Sequence, residues 1–302
     1  MKIAITGATG FLGRYIVNQL AGANSLRCWH RPESDRSGFQ NSSAIEWLHG
    51  TLEDDASYEP LCNGADAVVH SALYRPAGLG FRASGQQAFD EFIRVNLLGT
   101  LRLMDTARRL GVPRFVFIST CAVHEVILAD RNLDETHPLW PMAHYGAHKA
   151  AIEKFVHSYG FGENWPVCAL RPTGIYGRAH PAKNSRWFDI VSQVSRGKVF
   201  SSDRGGKEVH AADVAKAVEL LLNADADVIR GQAYNCYDMY VAERRVAEIA
   251  GEIAGGNADI GGTNNGPRNQ IDTSKLKALG MQFGGETLLR QTIAQLVDAA
   301  RS

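Results

Sequence analysis

The sequence has no surplus of either charge: 32 Lys and Arg stand against 32 Asp and Glu in 302 residues. Neutralising nucleic-acid phosphates takes a basic excess or at least a basic stripe. No run of Lys or Arg supplies one, so no nucleic-acid partner is expected. No apolar stretch approaches the ~18 residues that span a bilayer, and no membrane association is expected either. The long apolar region and small-residue cleavage site of a signal peptide are also missing, since Ile3-Ala4-Ile5 is cut short by Gly7. The five cysteines (Cys28, Cys62, Cys121, Cys168 and Cys236) are odd in number, scattered and without Cys-x-x-Cys spacing. That argues against a disulfide framework or a zinc site, so no metal is expected. A reducing compartment, the cytoplasm, fits these absences. Repeats and low-complexity segments are lacking as well. What remains is an ordinary globular composition, 45% hydrophobic and 21% charged, in a chain long enough for one large domain or two moderate ones.

Periodicity shows a regular alternation over the first two thirds. Lys2 to Thr6, Leu26 to His30, Ala44 to Leu48, Ala67 to His70, Phe115 to Ser119 and Val167 to Leu170 read as strands. Phe11 to Leu20, about Ala88 to Leu110 and about His144 to Ser158 read as helices, the second closed by Gly111 and Pro113. Strands alternating with helices predict βαβ units: an α/β fold with a doubly wound parallel sheet, of Rossmann type. The rhythm changes after Arg171-Pro172. Residues 1–171, with a return segment near 213–237, are expected to form the sheet domain. Residues 172–212 and 238–302 are expected to form a smaller lobe, its tail holding two helices around a Gly/Asn-rich linker from Gly255 to Gly266.

Directly after the first strand comes Gly7-Ala8-Thr9-Gly10-Phe11-Leu12-Gly13, opening a helix. Glycines there let the backbone turn tightly and approach a pyrophosphate, while the helix N-terminus offers free N–H groups and a positive dipole end. An Asp or Glu at the end of the second strand would favour NAD. Here the strand ends Trp29-His30-Arg31. Arg31, with Arg14 or His30 as possible helpers, suits a ribose 2′-phosphate, so NADP is preferred over NAD.

The next constellation is Tyr145-Gly146-Ala147-His148-Lys149. A spacing of four puts Tyr145 and Lys149 on one helical face. A nearby ammonium favours the phenolate and fits the tyrosine to exchange a proton with a substrate hydroxyl. Thr120 stands at the end of the strand Phe115 to Ser119, where a parallel sheet faces its ligand crevice. His144 and His148 also share a face, but no third ligand accompanies them and they read as helix-surface histidines.

These pieces resemble the extended short-chain dehydrogenase/reductase family, also called the NAD-dependent epimerase/dehydratase family. Further matches are Val69-His70-Ser71-Ala72, Val95-Asn96-Leu97-Leu98-Gly99-Thr100, Arg171-Pro172-Thr173-Gly174-Ile175-Tyr176-Gly177, Asp213-Val214-Ala215 and the stretch Asp272 to Gly280. The resemblance implies a nicotinamide cofactor on the N-terminal domain, with Tyr145 as acid/base, Lys149 on the nicotinamide ribose and Thr120 orienting the reacting oxygen. Cofactor contacts are then expected from the turn (Gly7, Thr9, Gly10, Phe11, Leu12, Gly13) and from Arg31, Thr51 and Leu52. Ser71, Ala72, Tyr145, Lys149 and Pro172 complete that set. A homodimer through the two long helices is also implied.

Departures from the family pattern narrow the chemistry. Cys121-Ala122 follows Thr120 where sugar-nucleotide dehydratases carry an Asp-Glu pair, which disfavours water elimination. Gly205-Gly206-Lys207-Glu208 lacks the arginine that holds a diphosphate in many epimerases, although Lys207 or Arg204 can substitute. Val123-His124-Glu125 replaces Val-Tyr-Gly. Tyr74, Arg75, Asn96, His124, Thr173 and Arg178 are the expected substrate contacts; Arg75, Arg82, His124 and Arg178 suit a carboxylate or phosphate. The leading expectation is an NAD(P)-dependent oxidoreductase acting on a small hydroxyl or carbonyl substrate, a sugar derivative. The alternatives are a sugar or nucleotide-sugar epimerase with retained NAD, and a non-catalytic dinucleotide-binding sensor.

Overall fold

The computed structural model describes residues 1–256 and 258–301; Asn257 of the expected linker and Ser302 lie outside the described residues. Six strands follow one another along the first part of the chain: β1 (Lys2–Thr6), β2 (Ser25–His30), β3 (Ile45–His49), β4 (Ala67–His70), β5 (Phe115–Ile118) and β6 (Val167–Pro172). With Gln232–Cys236 they form one seven-stranded sheet in the order Gln232–Cys236, β6, β5, β4, β1, β2, β3. Every pairing in it is parallel. β4 and β5 are buried throughout, as strands covered on both faces must be. The strand order reverses at β1, between β2 and β4, which is where sheets of this kind bind ligands.

Helices α1 (Phe11–Leu20), α2 (Tyr58–Cys62), α3 (Phe81–Gln87), α4 (Phe89–Phe92), α5 (Thr100–Arg109) and α6 (His144–His157) connect the strands. The single helix expected from about Ala88 to Leu110 is a series of segments instead, with a π-helical stretch, Ile93–Gly99, between α4 and α5. Two contacts account for the change. The Asn96 amide, 1% exposed, accepts from Tyr74 N at 2.7 Å and donates to Tyr74 O at 3.0 Å. Gly99 lies so close to the loop after β3 that a Cβ would sit 2.6 Å from Leu52 O. Wider winding over one turn satisfies both, a local adjustment common beside functional sites.

The chain divides into two compact units. The first comprises Met1–Pro172, Ala215–Cys236 and Asp272–Met281. Its last segment, which the sequence groups with the tail, packs here because Lys275 Nζ donates to Ala233 O at 3.0 Å and Asp272 N to Leu133 O at 2.9 Å. The second unit comprises Thr173–Val214, Tyr237–Ile271 and Gln282–Ser302. It holds a three-stranded sheet, Met239–Ala242, Gly205–His210 and Gly174–Tyr176, and a two-stranded one, Phe200–Ser202 with Ile260–Gly262. The helices Phe188–Ser195, Glu243–Ala254 and Gly285–Arg301 enclose its apolar core of Val191, Val194, Val246, Leu289 and Ile293.

Candidate active site

The glycine turn joins β1 to α1. Gly7 has φ +72°, and a Cβ on it would sit 2.7 Å from Ala72 N in the segment after β4. A Cβ on Gly13 would collide with the Gly7 carbonyl oxygen, so α1 can lie this close to the turn only without a side chain there. Gly10 caps α1 with no side-chain hydrogen bond and no acid in the first turn. The leading N–H groups of α1 are thus uncompensated by any side chain, a setting that suits an anion. Thr6 stitches the neighbouring strand ends together: its hydroxyl accepts from Ala72 N at 3.2 Å and is hydrogen-bonded to His70 Nδ1 at 2.6 Å. His70 in turn contacts Thr100 Oγ1 at 2.9 Å through Nε2, and burial pushes its pKa down to about 3, so it is neutral.

Beside the turn opens a cavity of about 390 Å³. Gly7, Thr9, Gly10, Arg31, Thr51, Leu52, Ser71, Ala72 and Tyr74, all expected from the sequence, line it. Phe11, Leu12 and Gly13 stand in the first turn of α1, outside that lining. Trp29, Glu33, Ser34 and Asp35 also line the cavity, and sequence reasoning missed them. Arg31 is exposed and pairs with Glu33 at 3.0 Å. An acid therefore does follow β2, two residues beyond the position where strand-end reasoning seeks it. Arg14 is no helper of Arg31: its guanidinium donates to Ser37 O at 2.7 Å and Asp35 O at 2.6 Å and stacks over Phe39, pinning that loop. His30 contacts its neighbour's carbonyl, Arg31 O, at 3.0 Å through Nδ1.

The second cluster lies at the ends of β5 and β6. Thr120 Oγ1 accepts from Ala122 N at 3.1 Å and is hydrogen-bonded to the Tyr145 phenol. Tyr145 and Lys149 occupy the first turns of α6. The Glu125 carboxylate accepts from Met142 N and Ala143 N, just before that helix, and pairs with Arg82. The unusual glutamate of Val123-His124-Glu125 thus secures the entry to α6, and Arg82 is engaged there. Lys149 Nζ donates to Ile118 O at 2.7 Å and sits 4.5 Å from the Phe117 ring centre. Burial pulls its pKa down to about 7, with the Glu153 charge acting upward. Burial also holds the Tyr145 phenol above its ordinary value, and the Thr120 hydrogen bond lowers it only in part. At the phenol, burial thus outweighs the lowering that a neighbouring ammonium would bring.

Several expected substrate contacts have other partners. His124 is 6% exposed, accepts from Arg171 Nη1 at 3.1 Å and has its pKa lowered to about 3 by burial and that guanidinium. A neutral, buried imidazole is no anion receptor. Asn96 is committed to the Tyr74 backbone, and the Tyr74 phenol donates to Glu91 at 2.5 Å. Arg75 remains exposed. His148 is buried rather than surface-lying, its ring edge-on to Phe92 at 4.9 Å. Among the described residues, no three His, Cys, Asp or Glu are grouped to hold a metal ion. Pro172 ends β6.

The second unit, taken by itself, holds Thr173, whose buried hydroxyl has no hydrogen-bond partner, and the exposed Arg178. It also contains a carboxylate that sequence reasoning passed over. Glu208, 1% exposed, pairs with Arg186 at 2.6 Å, and burial pushes its carboxyl up to about 7 against the pull of that arginine. The signal was present in Gly174 and Gly206, since a Cβ at either would collide with the Glu208 carboxylate.

Comparison with known proteins gives the family. The sequence model described as "NAD dependent epimerase/dehydratase family" matches residues 3–236. A 4-hydroxy-2-methyl-3-oxo-4-farnesyl-3,4-dihydroquinoline-1-oxide ketoreductase from Stigmatella aurantiaca is 31% identical over 248 residues, 73% of this chain and 70% of the relative. A dTDP-D-glucose 4,6-dehydratase from Homo sapiens is 37% identical over 265 residues, 83% of this chain and 73% of the relative. The crystal structure of the Thermus thermophilus UDP-glucose 4-epimerase in complex with NAD shares the fold, with a TM-score of 0.78 at 24% identity over 100% of this chain and 99% of that one. With the match spanning the glycine turn, the Tyr145–Lys149 helix and the last strand of the main sheet, this chain belongs to the NAD dependent epimerase/dehydratase family and is an NAD(P)-dependent enzyme of the oxidoreductase type.

Proposed function

We propose that the enzyme moves a hydride between a dissociable NADP(H) and the hydroxyl or carbonyl carbon of a small sugar derivative. The first unit would act as the dinucleotide-binding domain and the second as the substrate-binding lobe, with Thr173, Arg178 and the Arg186–Glu208 pair as its polar contacts. The observation that carries the reading is the Thr120–Tyr145 hydroxyl pair beside buried Lys149, followed by Cys121-Ala122 rather than by the acids that water elimination needs.

The close approach at Gly7 and Gly13 and the cavity beside the turn fit a dinucleotide pyrophosphate and adenosine. When bound, the nicotinamide supplies or accepts the hydride. The residues do the rest. Thr120 would orient the substrate oxygen, and the protonated Tyr145 phenol would give its proton to that oxygen during reduction and regain it during oxidation. Lys149 would hold the nicotinamide ribose. Five free cysteines support a cytoplasmic setting. Leu98 and Phe155, exposed apolar residues on the two long helical segments, support a homodimer.

NADP is the cofactor we favour, because Arg31 lines the cavity from an exposed position. Its bond to Glu33 is a surface ion pair of about 0–1 kcal/mol, weak enough for a 2′-phosphate to displace. Arg31→Ala should lower NADPH affinity by about 10–100-fold with little effect on NADH, and Glu33→Gln should raise NADPH affinity; fluorescence titration reads both. The functional reading itself is tested on purified protein denatured without added cofactor. Little released dinucleotide, with NADPH binding tighter than NADH, is the expected result. Near-stoichiometric NAD⁺ would overturn it in favour of an epimerase that retains its cofactor.

A further inference from the structure

Beneath the site lies a buried ionic network that the chemistry above does not use. Glu153 is fully buried, one helical turn beyond Lys149 and two beyond Tyr145, so all three share a stripe of α6. Its carboxylate accepts from Ser119 Oγ and from Arg171, whose Nε lies 3.1 Å from each oxygen and whose Nη2 lies 2.6 Å away. Arg171, 1% exposed, passes the connection on through Nη1 to His124 Nε2 at 3.1 Å. Taking two charges out of water is costly, and apolar residues of similar volume are often no less stabilising. The pair therefore calls for a reason other than stability.

Its position supplies that reason. Ser119 stands between Ile118, whose carbonyl receives Lys149 Nζ, and Thr120, whose hydroxyl meets Tyr145. Arg171 immediately precedes Pro172 at the end of β6, and its own carbonyl accepts from Cys121 Sγ at 2.9 Å. A single carboxylate thus grips both strand ends that lead into the site.

We propose that Glu153 is the positioning residue of the Thr120–Tyr145–Lys149 constellation, fixing the segment Ile118 to Thr120 through Ser119 and supplying the counter-charge that Lys149 shares with Arg171. The inference rests on the functional reading of Lys149 above. The groups around that lysine are few. Tyr145, His148 and Glu153 come from α6, His70 from β4, the Phe117 ring and Ile118 carbonyl from β5, and Arg171 from β6 through Glu153. His70 and His148 are both neutral, with pKa values lowered to about 3 by burial and by the lysine's own charge. Glu153 opposes the burial that draws Lys149 down to about 7.

The test titrates Lys149 itself in the intact protein, by NMR of lysine labelled with ¹³C at Cε; the resonance missing from Lys149→Arg identifies it. Glu153→Gln should move the midpoint down by about one pH unit or more, and Glu153→Asp should restore most of the shift. A folded Glu153→Gln protein with an unchanged midpoint overturns the proposal, as does a Glu153→Asp midpoint equal to that of Glu153→Gln. If Glu153→Gln does not fold, Ser119→Ala decides, because it retains every charge. Faster amide hydrogen exchange at residues 118–121 is then expected, and unchanged exchange refutes the positioning role. Failure of the functional reading shows elsewhere: Tyr145→Phe and Lys149→Arg would leave hydride transfer intact, while the midpoint comparison would stand.

Discussion

Tyr145→Phe should lower hydride transfer by about 10²–10⁴-fold, the usual contribution of a positioned acid or base, and leave NADPH affinity essentially unchanged. The substitution removes one oxygen from a half-buried ring whose environment is otherwise set by His148, 5.5 Å away between ring centres, and by Thr120. Burial holds the phenol above its ordinary pKa, which gives the pH dependence a sign. Reduction needs the protonated phenol and should be sustained through neutrality, falling only at alkaline pH. Oxidation needs the phenolate and should rise with pH over the same range. Initial rates in both directions on a panel of sugars and sugar acids check the sign. A Tyr145→Phe enzyme of undiminished activity would remove the catalytic assignment.

Gly13→Ala should abolish measurable dinucleotide binding and destabilise the fold by about 1–3 kcal/mol, the range for forcing extra atoms into a packed interior. The added methyl would meet the Gly7 carbonyl oxygen and the Ala8 Cα, both of them backbone, so no rotamer change relieves it. Either α1 moves away from the turn or the turn opens, and both separate the N–H groups that the pyrophosphate needs together. Gly22→Ala, just after the same helix and with nothing within 4 Å of the added atom, is the matched control. Calorimetric titration with NADPH and thermal melting of the two variants should separate them clearly.

The glycine turn, the tyrosine–lysine pair and Thr120 were legible because each is a local signal whose meaning is fixed by the element carrying it. A spacing of four on a helix and a place at a strand's carboxyl end survive almost any packing. What the sequence hid was commitment. Asn96, His124 and Arg82 have suitable chemistry for a ligand, but their partners are Tyr74, Arg171 and Glu125, residues distant in the chain that only the tertiary fold brings near. Glu33 was missed for the opposite reason: it lies too close to Arg31, in a turn where neither helical nor strand periodicity assigns a direction. The π stretch was hidden because the pattern from Ala88 to Leu110 is helical in either winding, and contacts with Leu52 and Tyr74 decide between them. In the second unit, strands of three residues such as Gly174–Tyr176 and Phe200–Ser202 are too short for alternation to register.

The order of the main sheet also bears on how the molecule is made. β6 finds its outer neighbour only in Gln232–Cys236, and Lys275 ties that strand down from further still along the chain. During synthesis β6 must therefore wait as an open edge, its N–H and C=O groups available to any passing strand, while the ribosome completes segments of the second unit. Contacts of such long sequence separation close slowly. The growing chain is thus most vulnerable to aggregation after the glycine turn and the Tyr145–Lys149 helix have already been translated, and protection by a chaperone would matter most in that interval.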